Sequence, residues 1–170
     1  MYCDVMLMIE RQKKFCSLIR EYRLGLFRVA KGILRNDTDA EDAVSETTCK
    51  AFANLDKLRN FESFKPWVMK ILVNEAYTMA NKRKRTEPLD DIAVEDNNSE
   101  AIESHELWDA VQHLSLEFRT VTILFYYEDI SIKEISKILN LPQGTVNSRL
   151  NRSREKLRSI LKSNGGRINE

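Results

Sequence analysis

Between Thr86 and Glu103 this chain stops placing apolar residues at helical spacing, and on either side of that gap it does little else. Upstream, Phe15, Leu18, Ile19, Tyr22, Leu26, Val29, Ala30, Ile33 and Leu34 recur three and four apart, the pattern of a helix with one buried stripe. Downstream the spacing returns at Leu107, Trp108, Val111 and Leu114, then at Phe118, Val121, Leu124 and Tyr127. The gap also collects charge: residues 86–106 hold eight acids and no Lys or Arg. With Pro88 and the polar run "EDNNSE" it reads as a tether that cannot bury enough apolar surface to order itself. The expected fold is all-α: two small helical domains, residues 1–85 and 105–170, joined by a flexible acidic linker, 86–104, that leaves their relative orientation free. Five glycines and three prolines among 170 residues leave few breaks, which favours helices over a sandwich of short strands. No strand pattern or internal repeat is visible.

Within the first block, "RNDTDAED" interrupts the stripe and restarts it. Asp37 or Thr38 is placed to cap a second helix, and Asp39, Glu41 and Asp42 suit its positive N-terminal end. That helix should bury Ala40, Ala43, Val44, Thr47, Ala51 and Leu55 and turn Asp39, Asp42 and Glu46 outward. After the loop "LRNFESFKP" a third helix is expected over about Ser63 to Arg85, with Pro66 in its first turn, where a missing N–H costs little. Its apolar stripe is Phe64, Val68, Ile71, Leu72 and Met79.

A formal charge of +1 conceals segregation, since the acidic gap is flanked by two basic zones. One is the run Lys82, Arg83, Lys84, Arg85. The other is Arg149, Arg152, Arg154, Lys156, Arg158 and Lys162, opposed only by Glu155. Cys3, Cys16 and Cys49 are odd in number and contain no C-x-x-C, so reduced, partly buried thiols are expected rather than a disulfide framework. The start "MYCDVMLMIERQKK" carries its charges on the wrong side for a signal peptide, and no run reaches the ~18 apolar residues of a membrane span. A cytoplasmic protein is the expectation. The best enzyme-like constellation is His105, Asp109 and His113, spaced i, i+4, i+8; only two histidines exist, no C-x-x-C or H-E-x-x-H accompanies them, and surface placement explains them equally well, so no metal site is expected.

The second basic zone lies inside a helix-turn-helix pattern. Ile132, Ile135, Ile138 and Leu139 pack one short helix, and Asn140 follows where the chain should turn through positive φ. Pro142 can start the second helix, whose buried side is Val146, Leu150 and Leu157. Gln143, Asn147, Ser148, Arg149, Asn151 and Arg152 then point outward from its early turns. A helix entering the major groove offers its first residues to base edges and its later cations to phosphates. Asn and Gln suit adenine and Arg suits guanine.

Three segments together resemble the extracytoplasmic-function (ECF) sigma factors, the compact promoter-recognition subunits of bacterial RNA polymerase: "DAEDAVSETTCKAF" (39–52), "SFKPWVMKILVNEA" (63–76) and "DISIKEISKILNLPQGTVNSRLNRSREKL" (129–157). The resemblance covers about residues 12–85 and 105–162. It implies an N-terminal domain for the polymerase clamp and the minus-ten element, and a C-terminal domain for the minus-thirty-five element. By this resemblance Asp39, Asp42, Ser45 and Glu46 dock on the clamp helices. Arg59, Asn60, Phe61 and Phe64 form a stacking surface for a flipped base, with Asn74 near the promoter strand and Lys82 and Arg83 on phosphates. Trp67 reads as core rather than as a melting wedge. Gln143, Thr145, Asn147, Ser148, Arg149, Asn151 and Arg152 contact the upstream element. The partners implied are polymerase core, through clamp helices and flap, promoter DNA and an anti-sigma factor; no cofactor, catalysis or membrane insertion is implied. The alternative is a helix-turn-helix regulator that acts without polymerase core, which accounts for 105–162 but not for 39–52 and 63–76.

Overall fold

The apolar stripe of the first block becomes one face of a long helix, α1 (Tyr2–Leu34), which begins well before the expected Phe15. The extra turns carry Met6, Leu7, Met8 and Ile9, all exposed, so no buried stripe announced them. The structure is a computed structural model that describes the backbone of residues 2–86 and 105–165 and the side chains of 6–83 and 106–163. The expected linker lies outside the described residues, apart from Thr86 at the end of the third helix. Among the described residues there is no strand, and no helix is long and apolar enough to cross a membrane.

Arg35 ends α1 with φ 57°, its N–H bonded to the Lys31 carbonyl at 2.8 Å. That left-handed residue sets where α2 (Asp37–Ala53) begins. Its cap is Asn36 rather than Asp37 or Thr38, the Asn36 side chain accepting from the Asp39 N–H at 2.9 Å. Ala40, Ala43, Thr47 and Ala51 are buried against α1, and Leu55 falls in a 3₁₀ turn just after the helix. A second 3₁₀ turn, Phe61–Ser63, leads into α3 (Phe64–Thr86). α3 buries Phe64, Val68 and Leu72 as its stripe requires, and also Met69, Val73 and Ala76, because it packs on both α1 and α2. Trp67 is half-buried against this core, in ring contact with Phe64 at 5.8 Å. Cys16 and Cys49 are unpaired and exposed, a correction to the expectation of partial burial: each sits on the outer side of its helix.

The second block folds as α4 (His105–Gln112), α5 (Leu116–Thr122), a π-helical turn (Ile123–Tyr127), α6 (Ile132–Leu139) and α7 (Gln143–Gly165). Trp108, Val111, Leu114, Val121, Leu124, Ile135, Val146 and Leu150 close its core. Arg119 is buried with them and donates to the carbonyls of Gln112 and Leu114, at 2.7 and 3.1 Å, which satisfies the free end of α4. Burial, and then the charge of Arg35, push its pKa down to about 10. α7 runs for 23 residues and so carries every cation of the second basic zone, Arg149 to Lys162, on one helix.

Between the two units, α1 packs against α5 and the π-helical turn, and α3 against α6.

Candidate nucleic-acid interface

The sharpest local geometry is at the helix-turn-helix. Ser131 and Glu134 form a reciprocal capping box at the start of α6, with Ser131 N–H to Glu134 Oε2 at 3.1 Å. Asn140 ends α6 at φ 53°, ψ 47°, the left-handed turn expected of it. Leu141 N–H then returns to the Ser136 carbonyl at 3.0 Å. Pro142 stands one position before α7, its carbonyl accepting from the N–H groups of Thr145 and Val146 at 3.0 and 3.1 Å. Val146 and Leu150 are buried, and Leu157 is half-buried. Ser153, on the same side, is wholly buried, and its Oγ bonds the Arg149 carbonyl at 2.8 Å and the Phe118 carbonyl at 3.3 Å. The second bond pins α7 to α5 and fixes which face is left outside.

That face holds Gln143, Asn147, Ser148, Asn151 and Arg152, all exposed, with Thr145 and Arg149 half-buried at its edge. Two of these side chains are engaged. Arg149 Nη2 pairs with Glu117 Oε2 of α5 at 2.8 Å, and Asn151 accepts from Arg154. Farther along α7, Arg158 and Lys162 are exposed, and Lys156 lies over the Phe118 ring at 5.6 Å. Polar donors first and cations after are therefore displayed on one continuous helix, as a duplex requires.

In the N-terminal unit Asn60 is exposed and caps the 3₁₀ turn, its side chain accepting from the Glu62 N–H at 2.9 Å. Arg59 is exposed and Phe61 half-buried. The Arg11 guanidinium sits 5.3 Å from the Phe61 ring centroid and donates to the carbonyls of Leu55 and Leu58 at 2.9 and 2.8 Å. It thereby holds the whole loop to α1. Nothing in "ERQKK" distinguished Arg11 from its neighbours. Phe64 is a correction: it has no exposure and meets Phe15, Tyr22 and Trp67 with ring centroids 5.8–6.1 Å away, so it is a core residue and no base can stack on it. Asn74 is exposed on α3, in a cleft it shares with Lys70, Tyr77, the α6 residues Ile138 and Leu139, and Asn140 at the turn. Lys82 is exposed. Arg83 pairs with Asp39 at 3.2 Å, which ties a candidate phosphate contact to a candidate clamp contact.

Asp42, Ser45 and Glu46, three and four apart on α2, are all exposed and form one outward strip. Glu46 lies 3.4 Å from Lys50, which also donates to Glu75 of α3. The strip therefore has an acidic outer rim and a cation at its inner edge. For the histidine constellation, α4 ends at Gln112 and the His113 ring turns back to the Asp109 carbonyl at 2.7 Å. Among the described residues no three of His, Cys, Asp and Glu group as metal ligands would.

Comparison with known proteins matches both units. The family described as Sigma-70 region 2 matches residues 18–86, and that described as Sigma-70, region 4 matches residues 104–157. The chain is 32% identical over 146 residues to the RNA polymerase sigma factor SigV of Bacillus subtilis, covering 84% of this chain and 87% of that protein. It is 29% identical over 169 residues to the ECF RNA polymerase sigma factor SigW of the same organism, covering 89% and 90%. Among solved structures it resembles the sigma factor RpoE in complex with the anti-sigma factor NepR from Bartonella quintana, with TM-score 0.69 and 26% identity over 86% of this chain and 97% of that one. CnrH, solved with the cytosolic domain of CnrY, shares the fold at TM-score 0.63 and 21% identity, over 89% and 90%.

Proposed function

This chain belongs to the extracytoplasmic-function sigma factors of the sigma-70 family, and from that membership we propose how its two units divide the work. It binds RNA polymerase core and directs it to promoters; it makes and breaks no bonds itself. The N-terminal unit, about 1–85, docks through Asp42, Ser45 and Glu46, with Asp39 at the strip's end, on the clamp helices. Arg59, Asn60 and Phe61 receive an unstacked base of the opened minus-ten element, beside Asn74, and Lys82 and Arg83 hold phosphates. The C-terminal unit, about 105–170, approaches the flap and lays α7 in the major groove of the minus-thirty-five element, where Gln143, Thr145, Asn147, Ser148, Arg149, Asn151 and Arg152 meet the DNA. Residues 86–104 join the two.

The observation that carries this reading is the presence, in one chain, of both matched regions together with a polar and cationic α7 face held outward by Val146, Leu150 and Ser153. A regulator acting without core would leave the region 2 match unused. The solved RpoE likeness includes an anti-sigma factor, and a partner of that kind for this chain follows by analogy. The place of action is the cytoplasm, where polymerase works.

Run-off transcription with purified core and a genomic promoter library tests the reading. Promoter-specific transcripts that require the added chain are expected, and their start sites yield both elements. A chain that binds DNA but neither binds core nor initiates would overturn it.

A further inference from the structure

α5 and α7 enclose an open cleft of about 510 Å³ at the edge of the outward face of α7. Thr145, Ser148, Arg149 and Arg152 line it from α7, and Glu117 and Phe118 line it from α5. Two guanidinium-bearing and two hydroxyl-bearing residues along one helix are the groups that hold a phosphodiester. The two walls are fixed to each other, because the Ser153 hydroxyl bonds the carbonyls of both Phe118 and Arg149, at 3.3 and 2.8 Å. Gly144, in the first turn of α7, also borders the cleft, and a Cβ there would meet nothing within 4 Å. Nothing in the folded chain requires that glycine, and its bare backbone leaves room for a ligand to come close.

One lining residue runs against this inventory. Glu117 is an acid, and its Oε2 accepts from Arg149 Nη2 at 2.8 Å. The Arg149 side chain is 25% exposed and that of Glu117 49%. A pair this accessible contributes little to folding, so stability does not explain the carboxylate. Its effect on an approaching polyanion is larger, since it cancels one cation of α7 and sets a negative charge where a phosphate would come in. Arg152, in the same cleft, is exposed and makes no ion pair among the described residues. We infer that the cleft seats one phosphate of the DNA backbone, and that Glu117 holds Arg149 in the free protein as that phosphate's stand-in. Carboxylate and phosphate offer a guanidinium the same acceptor oxygens, so each displaces the other from Arg149 Nη2. On binding, the half-exposed Glu117 side chain swings to water and Arg149 passes to the phosphate. Glu117 is thus a positioning residue that weakens α7 on every duplex alike, because a phosphate contact carries no sequence. The inference rests on the reading of α7 as a major-groove helix and deepens it.

Fluorescence anisotropy of the full chain on a short duplex of random sequence, from about 50 to 200 mM salt, measures the exchange. Glu117→Gln keeps the shape and removes the charge. It should steepen the salt slope by about 0.9, which tightens binding about fivefold at about 0.15 M salt if the two proteins are equal near 1 M. Its melting temperature should stay nearly that of wild type. In an Arg149→Ala background the same change should lose most of its effect, because the cation it releases is gone. A Glu117→Gln protein with the wild-type slope and affinity overturns the seat. An equal gain with Arg149 present or absent also overturns it, since that marks a general field and not an exchange. A wild type that binds no duplex at the lowest salt overturns both the seat and the role of α7. If the slope responds as expected yet the chain never initiates with core, the sigma-factor reading falls and the seat stands. If wild type initiates and the slope does not respond, the seat alone falls.

Discussion

Asn147 offers the cleanest test of how α7 reads DNA, because the structure separates it from its neighbours. Asn151 is held by Arg154 and Arg149 by Glu117, so removing either disturbs a bond in the free protein. Asn147 is exposed one residue beyond buried Val146 and takes part in none of the pairings that hold α7. Asn147→Ala should therefore leave the melting temperature unchanged, with any loss falling on binding. If the amide pairs with an adenine edge, the cost is about 1–3 kcal/mol against the preferred duplex, a factor of roughly 5–150 in Kd. Preference at one base pair should relax as well. Arg158 is exposed three turns farther on and serves as the contrast. Arg158→Ala should weaken all duplexes alike and reduce the salt slope by about 0.9, so the fourfold rise from 50 to 200 mM salt costs about 3.5-fold less affinity than in wild type. Fluorescence anisotropy on the preferred duplex and its single-base variants, at several salt concentrations, resolves both effects. An Asn147→Ala protein that loses the same factor on every duplex would refute a base-reading role.

Phe64→Ala should cost about 3–5 kcal/mol in urea unfolding, since it empties a wholly buried aromatic site; a loss under about 1 kcal/mol would contradict its assignment to the core. Arg59→Ala should leave thermal unfolding unchanged and reduce open-complex formation in a permanganate footprint, whereas Asn60→Ala should also lower stability by about 1 kcal/mol because it removes a cap. Burial holds the Tyr77 phenol above its usual pKa of 10.0, so its contribution is intact below that pH and is lost as pH rises past it. Tyr77→Phe should cost about 0.5–1.5 kcal/mol at neutral pH through the lost Thr120 bond, and should lose stability less steeply than wild type when unfolding is followed from pH 9 to 11.

Elements governed by local rules were legible residue by residue. The helix-turn-helix was readable because Ile135, Ile138, Val146 and Leu150 repeat at helical spacing around an Asn that tolerates positive φ. The outward placing of Asp42 and Glu46 was legible for the same reason, as the complement of an alanine-rich buried face, whereas Ser45 between them came only from the family resemblance. The cap of α2 was missed by one or two residues because "NDTD" offers consecutive residues of equal merit. Only the left-handed Arg35 selects Asn36. Phe64 was ambiguous in kind: an aromatic at a loop–helix junction has the same signature whether it faces a base or a core, and its ring neighbours on α1 decide it.

By itself, the sequence determined the all-helical class, the break between two helical blocks, the turn at Asn140 and the polar face of α7, since each depends on residues within a few positions of one another. Tertiary structure alone decided the roles of Arg11, Gly25, Gly32, Arg119 and Glu128. In the sequence Glu128 is one acid in the turn "YYEDIS", which local rules assign to solvent. It is buried because Arg28, a hundred residues earlier, reaches it across a helix face from which two glycines have removed the side chains. The free energy of a buried charge is set by the atoms around it, and those atoms come from segments whose meeting no local periodicity records.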